Sequence, residues 1–124
     1  MDNILAIALA GAAGAVSRYW VTRAVFNWLG TGYPYGTLLV NISGSLLFGF
    51  FSILFLQKLA VPEPLRFAVL VGFLGAFTTF STFSYETLFL LEQGQIIKAV
   101  SYVFISVIAC VLAAWGGVML ARIF

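Results

Sequence analysis

The chain has 124 residues, of which 63% are hydrophobic and 8% are charged, whereas a soluble domain carries roughly 25% charged residues. So apolar a composition predicts an integral membrane protein, and a net charge of +2 without a basic cluster argues against a nucleic-acid partner. Histidine is absent and Cys110 is the single cysteine, which excludes His-based catalysis, most metal centres and an intrachain disulfide.

Turn signals divide the chain into four apolar segments, each long enough to cross a bilayer, which takes about 20 helical residues. Glycine and proline mark the turns in "GTGYPYG" and "AVPEPLR", and "EQGQ" marks the third. We predict one all-α membrane domain over residues 1–124, without a soluble domain. The predicted transmembrane spans run from about 3 to 29, 37 to 58, 63 to 91 and 96 to 122.

Small residues recur along the first, second and fourth spans. Gly11 and Gly14 lie in the first span, Gly49 ends a small-residue repeat in the second, and Gly117 ends one in the fourth. Such patterns let helix backbones approach closely within a membrane. They predict either packing inside one subunit or a seam between two subunits.

The basic residues give the chain almost no preferred orientation. They are Lys58, Arg66 and Arg122 on the side of both termini, and Arg23, Lys98 and the deeper Arg18 on the other. Because an excess of Lys and Arg on cytoplasmic loops sets orientation, a balance this close allows insertion in both directions. Two opposite copies could then pair about an axis in the membrane plane as an inverted, antiparallel homodimer. A single orientation set by small charge differences is the alternative.

The second and fourth spans each carry polar side chains at helical spacing on one face. The three in the second span are Thr37, Asn41 and Ser45, and the three in the fourth are Tyr102, Ser106 and Cys110. For Asn41, an interhelical hydrogen bond that only joins helices is the simpler interpretation. Together with the third span, these two lines indicate a polar path through a small bundle.

The third span contains "GFLGAFTTFSTFSYE", in which hydroxyl residues alternate with phenylalanine. A continuous helix would place Phe73, Phe77, Phe80 and Phe83 on one side. It would place Thr78, Ser81, Thr82 and Tyr85 on another, with Glu86 one turn beyond Thr82. An ionisable residue inside a span is a functional candidate by default, although Glu86 could also lie near enough to the interface to be solvated.

Continuity of the third span is doubtful near residues 75–79. Gly75 is flexible, and Thr78 and Thr79 form a β-branched pair that favours a helix less. Non-helical backbone at membrane depth persists only where protein buries it or where it lines a cavity. A break would free carbonyl oxygens, which are ligands suited to a small hard cation such as Na⁺.

The side chains along the path are mainly hydrogen-bond donors: hydroxyls and one amide, with Glu86 as the only acid. Phenyl rings add a positive edge, which favours an anion. A narrow and sparsely hydrated path suits a small anion that gives up water only for dense hydrogen bonding. The residues alone therefore indicate a small anion without identifying it.

The "GFLGAFTTFSTFSYE" segment closely resembles the T-T-F-S-T-F-S-x-E motif of the Fluc (CrcB) fluoride channels. "YGTLLVNISG" resembles that family's second-span G-T-L-x-x-N stretch, and "GAAGAVSRYW" resembles its first-span G-x-x-G-x-x-x-R. The resemblance extends over the whole chain, including its length, number of spans and loop spacing.

The resemblance implies a passive, fluoride-selective channel that exports F⁻ across a bacterial plasma or inner membrane. It also implies a dual-topology homodimer with two antiparallel pores and a central structural Na⁺, bound by the backbone carbonyls of Gly75 and Thr78. The implied pore residues are a ring pair, an amide and a polar track: Phe80, Phe83, Asn41, Thr37, Ser81, Thr82, Glu86, Tyr102 and Ser106. Arg18 matches a basic residue that would make the aqueous vestibule positive, with an ion pair or contact with lipid headgroups as its alternatives.

A small multidrug-type proton-coupled antiporter is the main alternative function, because such proteins also have about four spans and short loops. That chemistry needs a membrane-embedded carboxylate, whereas the deep charge in the first span is Arg18. A subunit that only packs helices would not need hydroxyls beside phenyl rings at a break. Neither a nucleophile–base pair nor a phosphate-binding loop is present in the sequence, so no enzyme or ATP-driven pump is predicted.

Overall fold

A computed structural model describes residues 2–124, and the regular secondary structure in that range is entirely helical. Four stretches are long and apolar enough to cross a membrane: Asn3–Leu29, Tyr35–Lys58, Glu63–Glu92 and Ile96–Ile123. We label the first two α1 and α2 and the last α5. The third is interrupted, with α3 over residues 63–77 and α4 over Phe80–Glu92. The second stretch begins at Tyr35, slightly before the predicted Thr37.

The interruption of the third span consists of two extended residues. Thr78 has φ −85° and ψ 157°, and Thr79 has φ −151° and ψ 121°. Gly75, the expected flexible point, is itself helical, with φ −61° and ψ −35°. The chain therefore leaves the helix at the β-branched pair, which tolerates extended backbone better than most residues do. A π-helical stretch, Ala68–Leu74, precedes this point within α3.

The interruption also divides the phenylalanines that a continuous helix would have aligned. Phe73 and Phe77 stack with ring centroids 5.9 Å apart, within α3. Phe80 and Phe83 form a separate tilted pair in α4, with centroids 5.5 Å apart. Phe83 is buried, whereas Phe80 is 77% exposed in the single chain. The two pairs consequently have different surroundings.

Glycines allow the helices to pack backbone against backbone. A Cβ atom would overlap a carbonyl oxygen most severely at three of them: Gly14 against Phe73, Gly49 against Ala114, and Gly117 against Leu46. The last two lie between α2 and α5, which pack along each other. These small residues thus serve packing inside one subunit, which was one of the two interpretations of the sequence pattern.

The loop between α1 and α2 is fixed against α5 at one end of the bundle. Gly30 ends α1 in the left-handed region at φ 82°, which favours glycine. Lys98 Nζ donates a hydrogen bond to the carbonyl oxygen of Gly32 at 3.0 Å. The hydroxyl groups of Tyr33 and Ser101 lie 3.0 Å apart. These contacts hold the loop beside the polar residues of the fourth span.

Candidate functional site

The amide of Asn41 on α2 pairs with both backbone groups of Thr79. Its Oδ1 accepts from the Thr79 N–H at 2.8 Å, and its Nδ2 donates to the Thr79 carbonyl oxygen at 3.0 Å. The interruption leaves the Thr79 N–H without a helical partner, and an unpaired polar group is costly at membrane depth. The Thr79 carbonyl, at the N-cap of α4, gains a second donor from Asn41. Asn41 thus bonds to the interrupted backbone and does more than join two regular helices.

This pairing fixes which way round the Asn41 amide lies. Reversing it would direct an N–H at the Thr79 N–H and an oxygen at the Thr79 carbonyl, so both contacts would become repulsive. The amide oxygen is consequently directed at Thr79. The second Nδ2 hydrogen has no acceptor among residues 2–124, and Asn41 lines a cavity.

The hydroxyl groups around the interruption bond mainly to one another and to the local backbone. Thr79 Oγ1 accepts from the Thr82 N–H at 3.2 Å and so caps α4, and it donates to Thr82 Oγ1 at 3.1 Å. Ser81 Oγ is exposed and lies 3.4 Å from Thr79 Oγ1. Thr78 Oγ1 donates to the Leu74 carbonyl oxygen at 2.9 Å, within α3. Thr79, Ser81 and Thr82 therefore form a hydroxyl cluster that excludes Thr78.

Glu86 joins three of the helices. Its Oε2 accepts from Thr37 Oγ1 of α2 at 3.0 Å, and its Oε1 accepts from the Tyr102 hydroxyl of α5 at 2.8 Å. Thr37 is 4% exposed and Tyr102 is fully buried. The sequence placed these residues on three separate polar lines, and the structure brings them into one cluster.

The rings of Phe83 and Tyr102 connect this cluster to a second group of polar residues. Their centroids are 5.1 Å apart, and both side chains are buried in one hydrophobic cluster. Phe83 also lines a cavity of about 320 Å³ together with Asn41, Phe80 and Ser106, which we call the narrow cavity. The two threonines of the interruption, Ser45 and Cys110 line it too.

Ser106 lines this cavity with a buried hydroxyl group that makes no hydrogen bond within the described chain. The residue is 6% exposed, and its Oγ has no hydrogen-bond partner among residues 2–124. Most buried side-chain polar atoms in proteins do have a partner. The cavity can therefore supply the Ser106 hydroxyl and the free Asn41 N–H to something small that accepts hydrogen bonds.

A second cavity lies at the end of the bundle that holds the α1–α2 loop. Its volume is about 460 Å³, and Thr37, Tyr85 and Glu86 line it together with Lys98. We call it the wider cavity. Thr37 and Glu86 thus belong both to this cavity and to the cluster with Tyr102. The sequence pattern did not predict Lys98 and the loop residues at this site, because nothing in the spacing of the chain indicates that the loop bonds to α5.

Arg18 contacts the backbone of α3. Its Nε donates to the carbonyl oxygen of Ala76 at 3.0 Å, and it lines neither cavity. The one salt bridge among residues 2–124 joins Arg66 and Glu63, and Arg18 makes none within the described chain. The ion-pair and headgroup alternatives for Arg18 stay predictions. Its role in making a vestibule positive stays a prediction.

The carbonyl oxygens of Gly75 and Thr78 are not used by any turn, cap or side-chain hydrogen bond of residues 2–124. Asn41 occupies the Thr79 N–H, which a continuous helix would have directed at Gly75. Two hard oxygen ligands are thus available at the interruption. The donor set fits the Na⁺ ion that the sequence resemblance implies.

These features define a multi-pass membrane protein with an interrupted third span, a buried aromatic pair and two cavities that are lined partly by polar side chains. Residues 5–118 match the family described as "CrcB-like protein, Camphor Resistance (CrcB)". The chain belongs to this CrcB family, as the sequence resemblance predicted.

Several bacterial relatives carry the name "Fluoride-specific ion channel FluC". The one from Methylococcus capsulatus is 53% identical over 120 residues, which cover 97% of this chain and 53% of that relative, so the chain spans about half of its length. The one from Citrifermentans bemidjiense is 46% identical over 98% of both chains. The one from Magnetococcus marinus is 52% identical over 94% of this chain and 95% of the relative.

Proposed function

We propose that this chain is a passive, fluoride-selective channel that exports F⁻ across a bacterial inner membrane. The observation that carries the proposal is the unpartnered Ser106 hydroxyl in the cavity that it shares with Asn41 and Phe83. A small anion accepts hydrogen bonds from both polar groups and would satisfy the buried hydroxyl. The names of the relatives support fluoride as that anion.

The aromatic residues would contribute without accepting a proton or forming a bond. The edge of a phenyl ring carries partial positive charge, so Phe83 and Phe80 can stabilise an anion that has lost part of its water. Selectivity would then come from the hydrogen-bond donors of Ser106 and Asn41 together with these ring edges.

The remaining polar residues extend the route. Beyond the Phe83–Tyr102 pair lie Thr37 and Glu86, which also line the wider cavity. The hydroxyls of Ser81 and Thr82 supply donors on α4. We infer that an ion leaves the narrow cavity, passes this polar track and reaches water at the end of the bundle that holds the α1–α2 loop.

We infer further that two copies associate in opposite orientations to give two pores. Phe80 is 77% exposed although it lines the narrow cavity, so one chain leaves that cavity open beside the ring. A second copy packed there would cover Phe80 and complete the wall. The nearly even distribution of basic residues supports insertion in both orientations.

The carbonyl oxygens of Gly75 and Thr78 would hold Na⁺ at the dimer centre. The ion would add positive charge near the pores and neutralise the oxygens that the interruption leaves without donors. In a buffer whose cation is too large for such a site, we expect Na⁺-free protein to be less stable to heat, and Na⁺ to restore the stability. Equal melting temperatures with and without Na⁺, after its removal is verified, would contradict the site.

The function is tested by fluoride release from liposomes that contain the purified protein, recorded with a fluoride-selective electrode. We expect release to follow the membrane potential and to exceed chloride release greatly. The antiporter alternative predicts strict dependence on a proton gradient, and neither the family nor the relatives favour it. Absence of protein-dependent fluoride release would refute the proposal.

A further inference from the structure

The guanidinium of Arg18 lies where α3 loses its own hydrogen bonds. In a continuous helix the Ala76 carbonyl would accept from the N–H of Phe80, four residues later. The interruption at Thr78 and Thr79 separates these two groups, because both threonines are extended. Arg18 Nε occupies the vacated position, at 3.0 Å from the Ala76 oxygen.

Arg18 can reach this carbonyl because α1 and α3 are in close contact. Gly14, one turn before Arg18, lies against the Phe73 carbonyl with no room for a Cβ atom. Gly11 and Gly72 also approach each other, since a Cβ on Gly11 would lie 3.6 Å from the Gly72 oxygen. The small-residue face of α1 thus brings the arginine directly to the end of α3.

The positive charge of Arg18, like its Nε–H donor, is favourable at the C-terminal end of α3. The last carbonyls of a helix carry partial negative charge, and a cation there is stabilising. Arg18 has no carboxylate within salt-bridge distance among the residues that the structure describes. Its main polar partner is therefore the end of α3.

We propose that Arg18 is a positioning residue, which holds the interruption in its extended shape by capping α3. Arg18 and Asn41 together bond to backbone groups on both sides of the interruption. Asn41 pairs with Thr79, and Arg18 donates to the Ala76 carbonyl oxygen. The oxygens of Gly75 and Thr78 and the cavity next to Thr79 then keep fixed positions. Arg18 acts through this backbone and does not touch the conducted ion.

Two neutral substitutions of equal length separate capping from electrostatic attraction. Arg18→Gln places an amide nitrogen at the same number of bonds from Cα as the arginine Nε, whereas Arg18→Met places a methyl group there. Capping predicts that the Gln variant keeps fluoride flux within about threefold of the wild type, and that the Met variant loses about tenfold or more. If Arg18 acts only by its charge, the two variants fall equally, and that result would overturn the proposal.

Arg23 provides a matched control on the same helix. It is exposed, stacks on the ring of Tyr19 and makes no hydrogen bond to α3 among the described residues, so Arg23→Met removes the same charge without removing a cap. All three variants remove one positive charge, so any change in orientation is shared between them, and we expect Arg23→Met to keep at least the flux of Arg18→Gln. If the Arg18→Met protein does not fold, the Gln variant decides alone, because retained flux supports capping and loss of flux supports the charge.

A spectroscopic measurement keeps this inference separate from the proposed function on which it rests. Solid-state NMR of the Thr79 amide reports the hydrogen bond to Asn41 whether or not fluoride is conducted. We expect its chemical shift to be preserved in Arg18→Gln and Arg23→Met and displaced in Arg18→Met. An undisplaced signal in Arg18→Met would refute the positioning role, whereas a wild-type protein that conducts no fluoride would refute only the channel.

Discussion

Asn41 and Thr79 form a two-bond pair between a side-chain amide and an interrupted backbone. The amide oxygen is held by the Thr79 N–H at 2.8 Å, so the free part of the amide is an N–H donor. A group that presents only a donor favours an anion over a cation. In the proposed channel, selectivity for charge at this point would therefore depend on the backbone of Thr79 as much as on the side chain of Asn41.

Asn41→Asp tests this relationship. The aspartate keeps an acceptor for the Thr79 N–H, but it loses both Nδ2 donors. Its second carboxylate oxygen would face the Thr79 carbonyl oxygen, and two acceptors repel each other. Losing a hydrogen bond to a charged group is worth about 1.5–3 kcal/mol, so we expect fluoride flux to fall by about tenfold to a hundredfold. Liposome efflux per folded protein is the measurement.

Ser43→Ala is the control for that substitution. The Ser43 hydroxyl donates to the Leu39 carbonyl within α2 and contacts no other helix through a hydrogen bond. Its flux should match the wild type. An Asn41→Asp protein that conducts as well as Ser43→Ala would show that the amide is structural.

Much of this arrangement could be predicted from local sequence. Span lengths follow from apolar runs, and the interruption falls at Thr78 and Thr79, inside the predicted window. The three polar lines were visible because helical spacing places their members on one face. The register between faces was not visible, so the convergence of Thr37 and Tyr102 on Glu86 needed the structure.

The contact of Arg18 with Ala76 is a clear case of what sequence could not give. It depends on how closely α1 crosses α3, which Gly14 permits but does not specify. The sequence therefore left a vestibule charge, an ion pair and headgroup contact as alternatives, and none of them is a backbone cap. The free Ser106 hydroxyl was equally hidden, because the absence of a partner is a three-dimensional property.

Replacing either phenyl ring of the narrow cavity should reduce conduction while the protein remains folded. Phe83→Ile and Phe80→Ile retain an apolar side chain but remove the positive ring edge. We expect each to lower fluoride flux by about tenfold or more, as for a lost polar contact. Phe83 is buried, so its variant also needs a check of monodispersity by size-exclusion chromatography.

Phe104→Ile serves as the ring control. Phe104 is 61% exposed on α5 and lines neither cavity, so its variant should conduct normally. If both cavity variants conduct like Phe104→Ile, the rings have only a packing role.

Tyr102→Phe should destabilise the protein through Glu86. The substitution keeps the ring and leaves no cavity, but Glu86 Oε1 loses the donor that lies 2.8 Å away. Glu86 is half-buried and also lines the wider cavity, so the lost hydrogen bond should cost about 1 kcal/mol, which we expect as a lower melting temperature in detergent. Tyr85→Phe is the matched control, because the Tyr85 side chain is 66% exposed. Equal melting temperatures for the two variants would contradict the role of the Tyr102–Glu86 bond.

Gly117→Ala should disturb the packing of α2 against α5. A Cβ atom there would overlap the Leu46 carbonyl oxygen, so the two helices would have to separate. Overpacking of this kind costs about 1–3 kcal/mol. The neighbouring Gly116→Ala is the control, since a Cβ at Gly116 meets no atom within 4 Å. We expect thermal aggregation at a lower temperature only for Gly117→Ala, and similar behaviour of both proteins would refute the close contact.

Dual topology is tested by labelling the C-terminus from both sides of the membrane. Cys110 is first replaced by serine, and Phe124→Cys then provides one thiol at the exposed C-terminal residue. The basic residues are divided evenly enough between the two sides that we expect both orientations to be populated. An impermeant maleimide should therefore label about half of the molecules in intact cells and the rest after permeabilisation, as equal insertion in both directions requires.

Adding two lysines after Phe124 should shift the labelled fraction strongly to one side, because the difference in basic charge between the two sides is so small. Labelling of all molecules from one side before the lysines are added would refute dual topology, and with it the antiparallel dimer.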